Sequence, residues 1–200
     1  MPWEKSFNEE IALEKAMQVF WAKGFEPASI ADLLAGTGLN RGSLYNAFGG
    51  KKQLFVKTLL KYDRDNRRPL LASLEALDSP TKAIATFFDT VVNETIADQE
   101  KKGCFLFNTA LEISTHDEQV NDIVSNGVRE IEAFFRRSIE VGQVRGEITK
   151  ELNPAATAKT LLALIVAIRV LGRGVFAQDA LRTIAEEGKQ LVGANHTGES

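Results

Sequence analysis

Apolar residues recur every three or four positions along almost the whole chain, a spacing that places them on one face of an α-helix. The alternation of apolar and polar residues that is typical of strands is almost absent. The first third of the chain contains four predicted helices, over residues 8–23, 29–36, 40–48 and 51–67. Further helices, of which the second is short, are predicted over residues 80–100, 104–114, 117–142, 154–176 and 178–192. The pattern therefore predicts an all-α fold.

Capping residues and prolines divide these helices into groups. Gly24 ends the first helix, and Ser29 and Asn40 are side chains suited to cap the next two. Pro69 predicts a break or bend, which places a domain boundary near residues 67–79. We expect an N-terminal domain over 1–67, a C-terminal domain over 68–192 and a disordered tail over 193–200.

Composition limits the class of protein. The 200 residues are 44% hydrophobic and 26% charged, as in ordinary globular chains. The longest apolar run, 161–168, is followed by Arg169 and Arg173 and is too short to span a membrane. The acidic N-terminus does not resemble a secretory signal, and the single cysteine, Cys104, excludes an internal disulfide. These features predict a cytoplasmic protein without a membrane partner.

Charge is distributed unevenly along the chain. The net charge is −3, but residues 37–68 contain eight Lys or Arg residues against two Asp. The segments on either side are both acidic overall. A local positive cluster favours a polyanionic partner even when the whole chain is acidic.

The positive cluster coincides with two short helices joined by a turn. The helices over 29–36 and 40–48 flank Thr37-Gly38-Leu39, which is the layout of a helix-turn-helix. Periodicity directs Leu39, Leu44 and Phe48 toward a core. The outward-facing residues are predicted to be Arg41, Gly42, Ser43, Tyr45 and Asn46.

This outward face has the chemistry of a major-groove reader. Arg41 can pair with guanine and Asn46 with adenine, while the Tyr45 hydroxyl can contact a phosphate. Lys51 and Lys52 begin the next helix, where backbone N–H groups also favour an anion. A plain three-helix bundle without DNA function is the alternative interpretation of this layout.

The run FWAKGFEPASIADLLAGTGLNRGSLYNAFGGKKQLF resembles the N-terminal domain of the tetracycline-repressor (TetR) family of bacterial regulators. The resemblance covers roughly residues 8–60. Its most specific features are the Lys-Gly-Phe after the first helix, Ser29-Ile30, Gly38-Leu39, Leu44-Tyr45 and Phe48. A second stretch, GCFLFNTALEISTHD, is similar to a branch of the family with Gly-Cys before the sixth helix.

The resemblance implies a homodimer that binds a palindromic double-stranded DNA operator. Dimerisation would use the last two helices, near 154–176 and 178–192, and the C-terminal domain would hold a small-molecule effector. By position, Tyr45 and Lys51 are expected to contact phosphates, and Arg41, Ser43 and Asn46 to read bases. Lys52 stands where many relatives have an acid and would add a phosphate contact. The full expected DNA-binding set is Ser29, Asn40, Arg41, Gly42, Ser43, Tyr45, Asn46, Lys51 and Lys52.

An effector pocket is expected among the aromatic residues of the C-terminal part. Most of these aromatics would form core, and a few would join polar groups in a pocket wall. Arg129 is a further candidate polar group. The expected pocket residues are Phe87, Phe88, Val91, Cys104, Phe107, Asn108, Leu111, Glu112, Phe134 and Arg169.

No arrangement of residues suggests catalysis or a metal site, so no cofactor is expected. His116 lacks a second ligand at a suitable spacing, and Asp117 is expected to cap a helix. Cys104 follows Lys101 and Lys102 at a helix start, which favours a reactive thiol, although a buried structural cysteine is the simpler interpretation. We therefore expect a DNA-binding repressor released by a small molecule or by thiol modification. A helical small-molecule binding protein without DNA function is the main alternative, and a helical enzyme is the weakest.

Overall fold

The computed structural model describes residues 7–193, and within them every regular element is helical. The predicted all-α fold is confirmed. The helices are α1 Glu9–Lys23, α2 Ile30–Thr37, α3 Arg41–Phe48, α4 Lys51–Tyr62, α5 Arg68–Glu75, α6 Pro80–Ala97, α7 Phe105–Leu111, α8 Glu118–Arg145, α9 Pro154–Leu171 and α10 Gln178–Gln190. The tail predicted to be disordered lies, from residue 194 on, outside the described residues.

Helices α1 to α4 form a small bundle around an apolar centre. Phe20 of α1, Leu33 of α2, Leu44 of α3 and Phe55 of α4 are each at most 1% exposed. The rings of Phe20 and Phe55 meet edge to face with their centroids 5.0 Å apart. Burial of these side chains removes apolar area from water and fixes how α3 sits on its neighbours.

The helix that leaves this bundle is continuous from residue 51 to residue 75. A π-helical turn, Asp63–Arg67, joins α4 to α5, and all its linking residues keep right-handed helical dihedrals. Of the break or bend expected at Pro69, a break is therefore absent. A proline cannot donate a hydrogen bond and its ring crowds the carbonyl four residues earlier. The wider turn lies directly before Pro69, where the Arg68 N–H donates to Asp63 O, five residues back.

The C-terminal helices α6, α8, α9 and α10 pack around a second apolar centre. The Phe87 ring on α6 lies 5.6 Å from Phe134 and 5.2 Å from Phe135 of α8, measured between centroids. The N-cap Asp117 accepts a hydrogen bond from Val120 N, so the expected cap of α8 is confirmed. Most of the predicted aromatic cluster is thus core.

Helix α9 ends at Leu171, five residues before the predicted end. A Cβ atom at Gly172 would lie 2.2 Å from Thr95 Cγ2, so only glycine allows this close approach to α6. By length and composition alone, α9 is apolar enough to cross a membrane, although the sequence pattern did not predict a span. Only 22% of its residues are buried within one chain, and they pack on α6, α8 and α10.

Candidate nucleic-acid interface and ligand cavity

The turn between α2 and α3 is closed by local hydrogen bonds. Gly38 adopts the left-handed conformation with φ 75°, and its N–H donates to Leu34 O at 2.9 Å. Asn40 then caps α3, since its Oδ1 accepts from Ser43 N at 2.8 Å. Glycine at the left-handed position and asparagine at the cap are what such a turn requires. This turn fixes the angle at which α3 leaves α2.

Four polar or small residues of α3 face outward. Arg41, Gly42, Tyr45 and Asn46 are exposed, with Tyr45 at 45%. The N-cap Asn40 is exposed beside them. Leu44 and Phe48 are buried, as predicted, and Leu39 is half-buried against the same core. The outward face of α3 predicted from periodicity is therefore present, with one exception.

The exception is Ser43, which was predicted to face outward but is only 6% exposed. At 3.6 residues per turn, Ser43 precedes Leu44 and is one turn before Ala47, so it falls on the edge of the buried side. A base-reading role for Ser43 would require contact from this inward position.

The lysines at the start of α4 already have partners. Lys51 Nζ donates to Glu26 O at 3.1 Å and lies 4.6 Å from the centroid of the Phe25 ring. Lys52 forms an ion pair with Asp117, the N-cap of α8. The Lys52 ammonium lowers the pKa of the Asp117 carboxyl. The Lys51 ammonium has three N–H donors and uses one of them on Glu26 O, so two can still donate to an anion. Lys52 is instead held by its ion pair with Asp117 at the start of α8.

Ser29 has a structural role in addition to its predicted place at the interface. Its Oγ accepts from Asp32 N at 3.1 Å, and Asp32 Oδ2 accepts from Ser29 N at 2.9 Å. The two residues form a capping box at the start of α2. The Lys23 ammonium lowers the pKa of the Asp32 carboxyl, so this carboxylate is ionised at neutral pH.

A cavity of about 530 Å³ opens between the two bundles, which is within the usual range for small-molecule sites. Residues of α1, the π turn and α4 to α9 line it, together with the loop before α7. Hereafter this space is called the cavity. Five of the predicted pocket residues lie in its wall: Phe87, Val91, Cys104, Phe107 and Arg169.

The other five predicted pocket residues lie elsewhere. Phe88 and Phe134 are fully buried in the core. Asn108, Leu111 and Glu112 line a smaller cleft of about 120 Å³ between α1 and α7. Arg129, the additional polar candidate, is exposed on α8 and contacts Asn126.

The thiol of Cys104 is buried at the N-cap of α7, as its position predicted, and forms part of the cavity wall. Its Sγ lies 3.4 Å from the Tyr62 hydroxyl. Burial raises the pKa of the Tyr62 phenol well above its usual value, and the neighbouring Cys104 raises it further. Tyr62 therefore stays protonated at neutral pH. Arg169 pairs with Glu94 on the same wall.

Two family descriptions match this chain. Residues 12–58 match "Bacterial regulatory proteins, tetR family", and residues 80–185 match "Tetracyclin repressor-like, C-terminal domain". The chain belongs to the tetR family of bacterial regulatory proteins. It is a helix-turn-helix transcriptional regulator, as the geometry of α2 and α3 predicts.

Individual relatives agree with the tetR assignment. The HTH-type transcriptional regulator YezE of Bacillus subtilis is 30% identical over 82% of this chain and 89% of its own. The HTH-type transcriptional repressor ComR of Escherichia coli is 28% identical over 90% and 87%. A structure of the tetR regulator CifR with operator DNA is 26% identical, with a TM-score of 0.81, over 92% of this chain and 97% of that one.

Several wall residues of this tetR protein were missed from sequence. Trp21, Tyr62 and Arg67 face the cavity from α1, α4 and the π turn, all of which were assigned to the DNA-binding part. The run DRDNR over residues 63–67 could have indicated these wall residues, because four charged side chains in one helical turn need partners from other helices. Lys57 of α4 was also missed: its Nζ donates at 3.2 Å to Ala47 O, near the C-terminal end of α3.

Proposed function

We propose that this tetR protein is a repressor that binds a palindromic operator as a homodimer and releases it when an effector occupies the cavity. The observation that carries the proposal is the outward face of α3, where Arg41, Tyr45 and Asn46 are exposed next to Lys51. ComR is named a repressor, and CifR was captured on operator DNA, which supports the same function here.

The proposed DNA contacts divide into two kinds. Arg41 and Asn46 would read base edges, and Tyr45 and Lys51 would hold phosphates. Gly42 leaves its backbone open to close approach, and Asn40 and Ser29 would contact the DNA backbone from helix starts. Lys52 would have to leave Asp117 to contact a phosphate. Ser43, being buried, is the least accessible of the set.

The homodimer would form through α9 and α10. The side of α9 that faces away from its own chain carries Ala163, Ala167 and Val170, which a second copy would cover. Twofold pairing would create a four-helix interface and would hold the two α3 helices about 34 Å apart, the spacing of successive major-groove faces. The boundary between the DNA-binding and C-terminal domains is proposed near residue 67.

Release is proposed to follow from movement of α6 relative to α4, because both contribute to the cavity wall. Modification of Cys104 is a second proposed trigger, in line with a Gly-Cys branch of the family. Such a switch needs a coupling free energy of only about 1–3 kcal/mol. We propose a cytoplasmic regulator rather than an enzyme.

The test is binding of the purified protein to DNA upstream of its own gene, with excess competitor DNA and a salt series. We expect competitor-resistant binding whose affinity falls steeply with added salt, because Lys and Arg side chains displace counterions from phosphates. Binding that is absent there and in a genome-wide selection of fragments would favour a helical small-molecule binding protein without DNA function.

A further inference from the structure

Arg67 lines the cavity, and one nitrogen of its guanidinium has no acceptor among residues 7–193. Arg67 is 7% exposed, and its Nη1 atom is buried without a hydrogen-bond partner among residues 7–193. The rest of the group is occupied: Nε donates to Asp63 Oδ1 at 2.5 Å, and Nη2 pairs with Glu130 at 2.6 Å. Buried charged donors are nearly always satisfied, so this nitrogen requires an explanation.

The backbone around Arg67 is also unusual. Arg67 is the last residue of the π turn Asp63–Arg67, and π turns within α-helices are rare and are frequent at functional sites. The same continuous helix begins at Lys51, beside the DNA-facing surface. A molecule bound at Arg67 would thus contact the helix that leads to the operator interface.

Apolar residues form part of the wall near Arg67, beside Asp65 and Asn66. Leu70 lies one turn further along the helix and lines the cavity, as does Ile131 of α8. Phe87, Val91, Phe107 and Ile165 continue the apolar lining. Such a space fits a mainly hydrocarbon body that carries one hydrogen-bond acceptor at the Arg67 end.

The charges of the wall disfavour an anionic acceptor. Four carboxylates line the cavity: Asp65, Glu94, Asp98 and Glu100. Three cationic side chains line it: Arg67, Lys102 and Arg169. Arg67 is already neutralised by Asp63 and Glu130, so a carboxylate ligand would add negative charge to a wall with an excess of it. An uncharged oxygen can accept from Nη1 without that repulsion.

We propose that the cavity binds an uncharged, mainly apolar molecule with a carbonyl-type oxygen, and that Arg67 Nη1 donates to this oxygen. The inference rests on the proposed ligand-responsive function and assigns the chemical class of the ligand and its anchoring residue.

The experiment compares three probes with the same carbon count: benzylacetone, a ketone; butylbenzene, the hydrocarbon; and phenylbutyrate, the carboxylate. Trp21 lines the cavity and Trp3 is the only other tryptophan, so fluorescence of a Trp3→Phe protein reports binding. We expect the ketone to bind about tenfold more tightly than the hydrocarbon, because a buried hydrogen bond from a charged donor is gained. Phenylbutyrate should bind more weakly than the ketone.

Two variants separate the anchor from general electrostatics. Arg67→Lys keeps a positive charge for Asp63 and Glu130 but removes the free guanidinium nitrogen, so the preference for the ketone should disappear. Arg68→Lys is the matched control: Arg68 shares Asp63 as a partner but does not line the cavity. The preference should persist in that variant. If Arg67→Lys does not fold, the probe series on the Trp3→Phe protein decides alone.

Equal affinities for ketone and hydrocarbon, tightest binding of phenylbutyrate, or no binding of any probe would each overturn the inference. Operator binding is measured in the same samples to keep the two proposals separate. A ketone that binds in the predicted way without weakening operator binding contradicts the effector role and leaves the ligand assignment standing. If the protein binds the operator but binds none of the three probes, only the ligand assignment is contradicted.

Discussion

Arg41 and Ser43 lie two positions apart on α3, yet Arg41 is exposed and Ser43 is buried. A step of two residues on a helix turns the side chain through more than half a circle, so neighbouring polar residues meet different environments. Within residues 7–193 Arg41 has no hydrogen bond or ion pair, and its side chain is exposed to solvent. The functional value of a polar residue here depends on its angle around the helix.

Replacement of Arg41 by alanine should weaken specific operator binding by about 1–3 kcal/mol and relax preference at one base pair. The measurement is a binding titration against operator variants. Arg129→Ala, a change of the same residue type at an exposed position on α8, is the control and should bind normally. Unchanged specific binding by Arg41→Ala would remove its base-reading role.

The Lys52–Asp117 ion pair predicts a pH dependence of stability. Lys52 lowers the pKa of Asp117 below its usual 3.8, so the folded protein binds this proton less readily than the unfolded chain. The stabilisation is fully present above pH 3.8 and is lost as pH falls through the lowered pKa. Asp117→Asn keeps an N-cap residue but removes the ion pair with Lys52. Its melting temperature should therefore be lower than that of the parent at neutral pH and equal to it at acidic pH.

The measurement for Asp117 is the melting temperature across a pH series from neutral to acidic. Asp122→Asn is the matched control, because Asp122 is exposed on α8 and has no ion pair within residues 7–193. A difference between parent and Asp117→Asn that stays constant down to the lowest measurable pH would contradict the assignment.

At the scale of elements, helix starts and close helix contacts determine where the functional surfaces lie. Ser29, Asn40 and Asp117 each accept a hydrogen bond from a backbone N–H in the first turn that follows. Two glycines, Gly172 and Gly188, allow the C-terminal helices to touch. Caps and contacts of this kind hold α3 and the cavity walls in place.

Ser29→Ala should lower the free energy of unfolding by about 1 kcal/mol, because α2 loses its N-cap. Chemical denaturation measures this change. Ser73→Ala, at an exposed position within α5, should have almost no effect. If Ser29→Ala keeps full stability but loses DNA affinity, Ser29 acts at the DNA surface and its cap is unimportant.

Gly188→Ala should destabilise the fold by about 1–3 kcal/mol, because the added methyl group would lie 2.4 Å from the buried Phe88 ring. Gly42→Ala is the matched helical control, since its nearest neighbour would be Asn40 Oδ1 at 3.4 Å. That variant should gain up to about 1 kcal/mol from helix propensity. Thermal or chemical unfolding of both proteins makes the comparison, and a stabilised Gly188→Ala would contradict it.

At the scale of the whole molecule, the two bundles share several contacts beside the cavity. Trp21 Nε1 of α1 donates to Gly103 O at 3.1 Å, and His116 stacks on Phe55 of α4. The Lys52–Asp117 pair adds an electrostatic link. A change in the cavity therefore has physical routes to the DNA-facing helices, whereas the exposed side of α9 has no partner within the described chain.

The double variant Ala163→Glu/Ala167→Glu should convert the proposed dimer to a monomer, because paired α9 helices would bury four uncompensated carboxylates. Light scattering coupled to size-exclusion chromatography measures the mass. Val144→Glu, at a position 86% exposed on α8, is the control and should leave the mass unchanged. Retention of dimer mass by the double variant would place the interface elsewhere.

The sequence by itself determined the helices, their caps and the face of α3, because each depends on residues within a few positions of one another. Asn40, Leu44, Phe48 and Asp117 all lie where periodicity and capping rules predicted. Ser43 was mispredicted because the edge of a buried face depends on how its neighbours pack.

Only the tertiary structure decided which residues line the cavity. Phe88 and Phe134 have the same local pattern as Phe87, but their rings are enclosed on all sides. The unpartnered nitrogen of Arg67 likewise depends on Asp63, Glu130 and a π turn meeting in space. Such sites arise from contacts between distant segments, whose relative positions are set by packing of the whole core and not by local spacing.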